Sequence, residues 1–244
     1  MNNQNYHNWN QMQTNTTQVD AGAVASKTFM TQVFGWMAGA LMITALTSYL
    51  FGMVPQLIAL LIGETGFTPL GWIVMFAPLA FVMLISFGIQ KLPMPLLIGA
   101  FLLYSAVNGM SLSFIFLVFD IGSIGATFLV AAGMFGTMAV MGWITKADLS
   151  GFGRIMFMGL IGIIIASVVN IFLGSEMMDY IISFIGVAVF TGLTAWDVQK
   201  LKNLGAETGG SDVAGRLSIL GALTLYLDFI NLFLFLLRLM GNRK

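Results

Sequence analysis

The feature that most constrains this chain is a series of seven apolar runs, each close to the length of a membrane-spanning helix. They lie at 29–52, 70–89, 96–119, 122–144, 153–173, 179–198 and 218–241. At about 1.5 Å per residue, a helix of about 20 apolar residues crosses the roughly 30 Å of hydrocarbon in a bilayer. Only 8% of the residues are charged, against about 25% in ordinary soluble domains. The pattern predicts an all-α integral membrane protein whose seven transmembrane helices occupy 29–244 and whose main partner is the lipid bilayer.

Composition also excludes several kinds of chemistry. The chain has no cysteine, which excludes disulfides, thiol catalysis and Cys-ligated metals. Its one histidine, His7, lies in an Asn-, Gln- and Thr-rich stretch that we expect to be a disordered polar tail over 1–28. Ten basic residues balance ten acidic ones, so no basic excess is present to bind nucleic acid. We therefore expect no cofactor, no nucleic-acid partner and no enzyme activity.

Charge alternates between the two sets of loops. The first set carries Glu64, Asp120, Glu176 and Asp179. The second set carries Lys91, Lys146, Arg154, Lys200, Lys202 and Arg216. Because basic loops face the cytoplasm, the pattern predicts a cytoplasmic N-terminus and a C-terminus on the outer, periplasmic side. This assignment places three basic residues on the outer side, where they are not expected, namely Arg238, Arg243 and Lys244. We nevertheless expect the last helix to cross the membrane, because the run 218–241 is long enough to do so.

Two acidic residues lie inside the apolar runs. Insertion of such a charge costs at least about 2.5–3.5 kcal/mol, so intramembrane acids usually have a function. Asp228 is about 15 Å into the last run and Asp197 lies near the cytoplasmic end of the sixth. Because consecutive spans are antiparallel, we expect the two carboxylates to meet in the cytoplasmic half of the membrane. The alternative for Asp197 is an interfacial position, paired with Lys200.

Two carboxylates in contact at low dielectric share a proton and titrate as a pair. When deprotonated they offer several hard oxygen ligands, which suit Ca²⁺. We therefore predict Asp197 and Asp228 as a proton-sensing pair that binds Ca²⁺ transiently, with protons and Ca²⁺ as ligands. Asn231, three residues after Asp228, lies on the same helix face and is the candidate partner of the pair.

Several segments resemble the Bax-inhibitor-motif family of membrane proteins, particularly its bacterial inner-membrane branch. They are Gly192-Leu193-Thr194-Ala195-Trp196-Asp197-Val198-Gln199-Lys200-Leu201-Lys202, Leu220-Gly221-Ala222-Leu223 with Tyr226-Leu227-Asp228-Phe229-Ile230-Asn231-Leu232-Phe233, and Lys146-Ala147-Asp148-Leu149-Ser150 with Val169-Asn170-Ile171-Phe172. The resemblance implies six helices wrapped around a central seventh. It also implies a Ca²⁺-permeable, pH-sensitive leak pathway in the inner membrane, with Asp197 and Asp228 matching the family's paired aspartates.

The sequence departs from that family pattern in the second span. Some members place an arginine cluster at the cytoplasmic end of this helix, where it contacts the aspartate of the sixth. Here only Lys91 is available, and a lysine is a point charge without the bidentate geometry of arginine. Some members also carry an acid within the second span, but 70–89 has none. We expect a gate in which Lys91 stabilises the closed state.

Other functions remain open. An intramembrane aspartyl protease also places one Asp on each of two neighbouring spans, although here Trp196 replaces the usual Tyr and Leu225-Tyr226-Leu227 replaces the usual Gly-x-Gly. A regulatory protein that binds another membrane protein, such as a quality-control protease, without conducting ions is the second alternative. A proton-coupled transporter is the third. A retinal protein is excluded because the last span has no lysine. The reading that we carry forward is a pH-modulated Ca²⁺/cation leak channel.

Overall fold

The structure is a computed structural model that describes the backbone of residues 3–63, 66–88, 91–209 and 211–244, and side chains from residue 21 onward except residue 212. The elements are α1 Asn3–Met53, α2 Pro55–Ile58, β1 Ile62–Gly63, β2 Gly66–Phe67, α3 Pro69–Gly88, α4 Met94–Leu112, α5 Ile115–Val118, α6 Ile121–Ile144, α7 Ser150–Leu173, α8 Glu176–Thr208 and α9 Asp212–Met240. Strands β1 and β2 form a small antiparallel hairpin between α2 and α3, in which Ile62 pairs with Phe67.

Seven of the described helical segments are long and apolar enough to cross a membrane, which confirms the predicted number of spans. They are Ala21–Met53, Pro69–Gly88, Met94–Val118, Ile121–Ile144, Ser150–Leu173, Glu176–Thr208 and Val213–Met240. Large apolar side chains cover the outside of the bundle, and Ile171 and Phe172 of α7 are 77% and 84% exposed. A surface this apolar requires lipid as its solvent.

The centre of the bundle is α9. It packs against α1, α3, α4, α6 and α8, and its residues Leu225, Tyr226 and Leu232 are fully buried. Helix α9 carries Tyr226, Asp228 and Asn231 within its apolar span, and polar groups of a transmembrane helix face the interior of the bundle, so the sequence of α9 accounts for its position. The predicted arrangement of six helices around a central seventh is therefore confirmed. Of the six, α7 is peripheral and packs mainly against α8.

Glycines bring α8 close to both of its neighbours. A Cβ at Gly142 of α6 would collide with the carbonyl oxygen of Ala195, and a Cβ at Gly153 of α7 would collide with the Trp196 ring. Small residues allow transmembrane helices to approach closely. These two contacts hold α8 between α6 and α7 at the turn that carries Asp197.

Two helices extend further than the sequence analysis predicted. Residues 21–28, expected at the end of a disordered tail, are part of α1, because the Ser26 hydroxyl donates to the Lys202 carbonyl at 2.7 Å and Phe29 is buried. The apolar run that ends at 198 belongs to a helix that continues to Thr208. The two extensions pack against each other at the same end of the bundle.

Candidate functional site

The structure brings Asp197 of α8 and Asp228 of α9 into contact. The two residues are 7% and 5% exposed, and their carboxyl groups interact with each other and line the same cavity. Among the described residues, the buried Oδ2 atom of Asp228 has no donor to accept from. Ionised carboxylates have no proton to donate, so a hydrogen bond between the two groups requires a proton on one of them. The burial and proximity of the two groups meet the geometric requirement for a carboxyl pair that shares a proton.

The aspartate pair lies in the wall of a cavity of about 590 Å³ between α7, α8 and α9. Apolar side chains of α7, including Leu160 and Ile164, form one side of this cavity. Lys200, Thr224 and Asn231 add polar groups on the side of α8 and α9. Two acidic groups thus border a space that close-packed side chains do not fill and that is open to the outer surface of the bundle at Ile164 and Ile171.

Two further cavities lie between this space and one end of the bundle. A second cavity of about 450 Å³ shares Ser167, Ile171 and Phe235 with the first and reaches Arg238. A third, of about 390 Å³, shares Asp179 and Arg238 with the second. The guanidinium Nη1 of Arg238 lies 3.5 Å from Oδ1 of Asp179. Three adjacent cavities therefore lie between the aspartate pair and an ion pair at the end that carries the acidic loops.

The lysine nearest the pair does not form an ion pair with it. Lys200 lines the same cavity, but its ammonium lies over the Trp196 ring, 5.2 Å from the ring centroid. Within the described part of the chain, the one salt bridge closer than 4.0 Å is Arg238–Asp179. Asp197 is therefore buried beside Asp228, and the alternative partner Lys200 influences it electrostatically without forming an ion pair closer than 4.0 Å.

The other two predicted site residues lie differently from expectation. Lys91 is exposed in the turn between α3 and α4, and no ion pair joins it to either aspartate among the residues that the structure describes. The basic residue of α9 that contacts this turn is Arg216, whose Nη1 donates to the Leu92 carbonyl at 2.6 Å. Asn231 lines the cavity of the pair, but its amide donates to the Leu227 carbonyl of its own helix at 2.8 Å.

Sequence reasoning missed the role of Gln199. Its Oε1 atom accepts from the Leu149 N–H and its Nε2 atom donates to the Ala147 carbonyl, both at 2.8 Å. Gln199 and its two partners lie in segments 192–202 and 146–150, which both resemble the family, but the sequence does not show that these segments contact each other. Gln199 holds the connection between α6 and α7, and so sets where α7 begins to cover the cavity.

Two neighbouring residues strengthen the same connection. The Lys202 ammonium donates to the Trp143 carbonyl at 2.7 Å and lies over the ring of that residue. The Asp148 carboxylate accepts from the Ser150 N–H at 2.9 Å, and hydrogen bonding from the side chain of Ser150, together with this backbone bond, lowers the pKa of Asp148. Lys202 therefore joins α8 to α6, in addition to contributing positive charge at this end of the bundle.

Polar contacts on the opposite side of α9 fix its position. The Tyr226 hydroxyl is 2.7 Å from the Thr44 hydroxyl of α1 and accepts from the Asn108 amide of α4, also at 2.7 Å. Interhelical hydrogen bonds of this kind hold membrane helices together. Because Tyr226 is two residues from Asp228, these bonds also fix the position of the buried aspartate.

The C-terminal residues are fixed at the end of the bundle that carries Asp120 and Asp179. The Lys244 N–H donates to the Val118 carbonyl at 2.9 Å, and its ammonium donates to the Phe116 carbonyl at 2.8 Å. The Asp120 N–H donates to the Asn242 carbonyl at 3.0 Å. Helix α9 thus crosses the whole bundle, and the basic C-terminal residues, which disagreed with the charge pattern, lie among acidic loops.

Comparison with known proteins agrees with the fold. The family described as inhibitor of apoptosis-promoting Bax1 matches residues 26–244. The chain is 49% identical to inner membrane protein YbhL of Escherichia coli K12 over 220 residues, which are 89% of this chain and 93% of that protein. It is 41% identical to protein RP147 of Rickettsia prowazekii over 88% of this chain and 90% of the relative. An uncharacterized membrane protein of Streptococcus pyogenes serotype M6 is 42% identical over 65% of this chain and 69% of its own length.

Proposed function

Because this chain belongs to the Bax1-inhibitor family and is a multi-pass membrane protein, we propose that it is a pH-modulated leak channel for Ca²⁺ and other cations. The observation that carries the proposal is the buried contact of Asp197 with Asp228 in the wall of a cavity. Intramembrane acids that face a cavity commonly line ion pathways.

The cavity series supplies groups that suit a cation. Beyond the aspartate pair it is lined by the hydroxyl of Ser167, the amide of Asn170 and the carboxylate of Asp179. Hydroxyl, amide and carboxylate oxygens are ligands for hard cations such as Ca²⁺. We infer that ions move between α7 and the α8–α9 pair, and that Phe235 and the Arg238–Asp179 ion pair narrow the path near the acidic loops.

The aspartate pair supplies a proton switch. With one proton shared, the carboxyl groups attract each other and hold α8 against α9. Without it, two negative charges in contact at low dielectric repel, which favours either separation of the helices or binding of a cation between them. The proton count therefore changes both the shape of the path and its affinity for Ca²⁺.

We also propose that the membrane is the bacterial inner membrane, as named for the Escherichia coli relative, and that the end carrying Lys146 and Lys202 faces the cytoplasm. The support is the positive-inside rule together with the contact of Ser26 with Lys202 at that end. The C-terminus at Lys244, fixed to Phe116 among the acidic loops, is then periplasmic.

The test is Ca²⁺ flux into proteoliposomes between about pH 5 and 8, a range chosen to bracket the titration of two coupled, buried carboxyl groups. Wild type is compared with Asp228→Asn and Asp197→Asn, which are near-isosteric and remove one titrating group each. Thr224→Val is the matched control, because Thr224 lines the same cavity and its one hydroxyl bond to a described residue is with the Leu220 carbonyl of its own helix.

We expect a protein-dependent flux whose pH profile flattens in both aspartate variants and persists in the control. Absence of flux above that of empty liposomes at every pH, from folded protein, would refute the channel. The non-conducting regulatory protein would then be the preferred function. Cleavage of a membrane-embedded peptide that is lost in Asp228→Asn would instead favour the aspartyl protease, since a carboxyl pair in contact is also what that reaction needs.

A further inference from the structure

A second cavity, on the other side of α9 from the aspartate pair, has the features of a ligand site. It measures about 360 Å³ and lies between α1, the α4–α5 segment, α6 and α9, within the range of about 300–1,000 Å³ typical of ligand pockets. Its lining is almost entirely apolar and includes Leu112, Ile124, Ile230 and Phe233. The proposed ion path does not use this space.

One polar group in the cavity lacks a partner. Ser48 is 5% exposed, and its hydroxyl forms no hydrogen bond with the described residues. Thr44, one turn earlier and lining the same cavity, differs because its hydroxyl donates to the Ser105 carbonyl at 2.9 Å. A buried hydroxyl without a partner is unfavourable in an apolar surrounding, so Ser48 is suited to donate to an acceptor that enters the cavity.

The position of the cavity indicates which acceptor that is. Tyr49, Ile121 and Phe128, which line it, are exposed on the lipid-facing surface, so the cavity is reached from the bilayer. Ser48 lies five residues before Met53, the last residue of α1, or about 7.5 Å along the helix axis. This depth is near the boundary between hydrocarbon and headgroups, where the ester carbonyls of phospholipids lie.

We propose that this cavity binds one acyl chain of a phospholipid from the leaflet on the side of the acidic loops, and that the Ser48 hydroxyl donates to its ester carbonyl. The chain packs against Ile230 and Phe233 of α9. A lipid at this position is thus a structural component of the bundle, in contact with the helix that carries Asp228.

Two glycines of α6 allow a matched test. Gly125 lines the cavity, and both Gly125 and Gly133 have open space where a Cβ would be. Gly125→Leu fills the cavity, whereas Gly133→Leu adds the same side chain to the same helix outside it. The probe is a phospholipid that carries a photoactivated diazirine in its acyl chain, in liposomes containing the full chain, with labelled peptides mapped by mass spectrometry.

We expect labelling of the segments around Ser48 and Gly125 in wild type and in Gly133→Leu, and a loss of at least fivefold in Gly125→Leu. Unlabelled diester phospholipid should compete better than its diether analogue, which has no carbonyl, by about two- to tenfold for one hydrogen bond. Ser48→Ala should abolish that preference. Equal labelling in Gly125→Leu, or an ester preference that survives Ser48→Ala, would overturn the proposal.

Discussion

Replacing Gln199 with leucine removes the side chain that joins α8 to the connection between α6 and α7. Leucine fills a similar volume, but it leaves the Leu149 N–H and the Ala147 carbonyl without their 2.8 Å partners. A neutral hydrogen bond contributes about 0.5–1.5 kcal/mol net, so the two together should lower the free energy of unfolding by about 1–3 kcal/mol. For a chain of this size each kcal/mol corresponds to about 2–4 °C in Tm, which gives a decrease of about 2–12 °C.

The assay is thermal unfolding in detergent, followed by tryptophan fluorescence, together with hydrogen exchange of the Leu149 amide. Thr191→Val is the matched control, because it also replaces a polar side chain of α8 with an apolar isostere but removes only a bond to the Val187 carbonyl of its own helix. Its Tm should change much less. Unchanged protection of the Leu149 amide in folded Gln199→Leu would refute the role assigned to Gln199.

Two further predictions concern the same end of the bundle. Gly142→Ala should destabilise the chain by about 1–3 kcal/mol, because the new Cβ collides with the Ala195 carbonyl. Gly136→Ala places its Cβ in open space and should be neutral or stabilising. Thermal unfolding of both variants measures the difference in stability. Hydrogen bonding from Ser150 lowers the pKa of Asp148. The ionised Asp148 side chain therefore stabilises the fold at pH values above the ordinary aspartate pKa of about 3.9. This stabilisation is lost as the pH falls through the lowered pKa. The Tm difference between wild type and Asp148→Ala should therefore be present at pH 7 and disappear in strong acid.

Hydropathy predicted the seven spans because a bilayer requires helices of nearly fixed length. The antiparallel order of neighbouring spans also predicted that Asp197 and Asp228 lie in the same half of the membrane; their depths match only because α8 continues to Thr208. The length of a span and the approximate depth of a residue can be read from one segment or from two consecutive segments.

The remaining features depend on packing between distant segments. The charged residues Lys200 and Lys202 end the apolar run of the sixth span at 198, but the helix continues to Thr208, and Lys202 bonds to the Trp143 carbonyl of α6. Lys91 was assigned a gating role by resemblance, and its exposed turn position follows from how α3 and α4 meet. Neither the bond of Lys202 nor the turn position of Lys91 can be predicted from hydropathy.

The most direct test of the account asks whether Ca²⁺ passes through the space beside the aspartate pair. The chain has no cysteine, so a single one can be introduced as Ser167→Cys, at a position shared by the cavity of the pair and the next cavity. Val169→Cys is the control, because Val169 is exposed on the apolar surface of the bundle. Ca²⁺ flux is measured before and after a cationic or an anionic methanethiosulfonate reagent.

We predict that the cationic reagent lowers flux through Ser167→Cys several-fold, that the anionic reagent lowers it less, and that neither affects Val169→Cys. A fixed positive charge in a cation path raises the barrier for Ca²⁺ through direct repulsion. If Ser167→Cys is modified by both reagents and its flux stays unchanged, ions do not pass between α7 and the α8–α9 pair, and the proposed path is wrong.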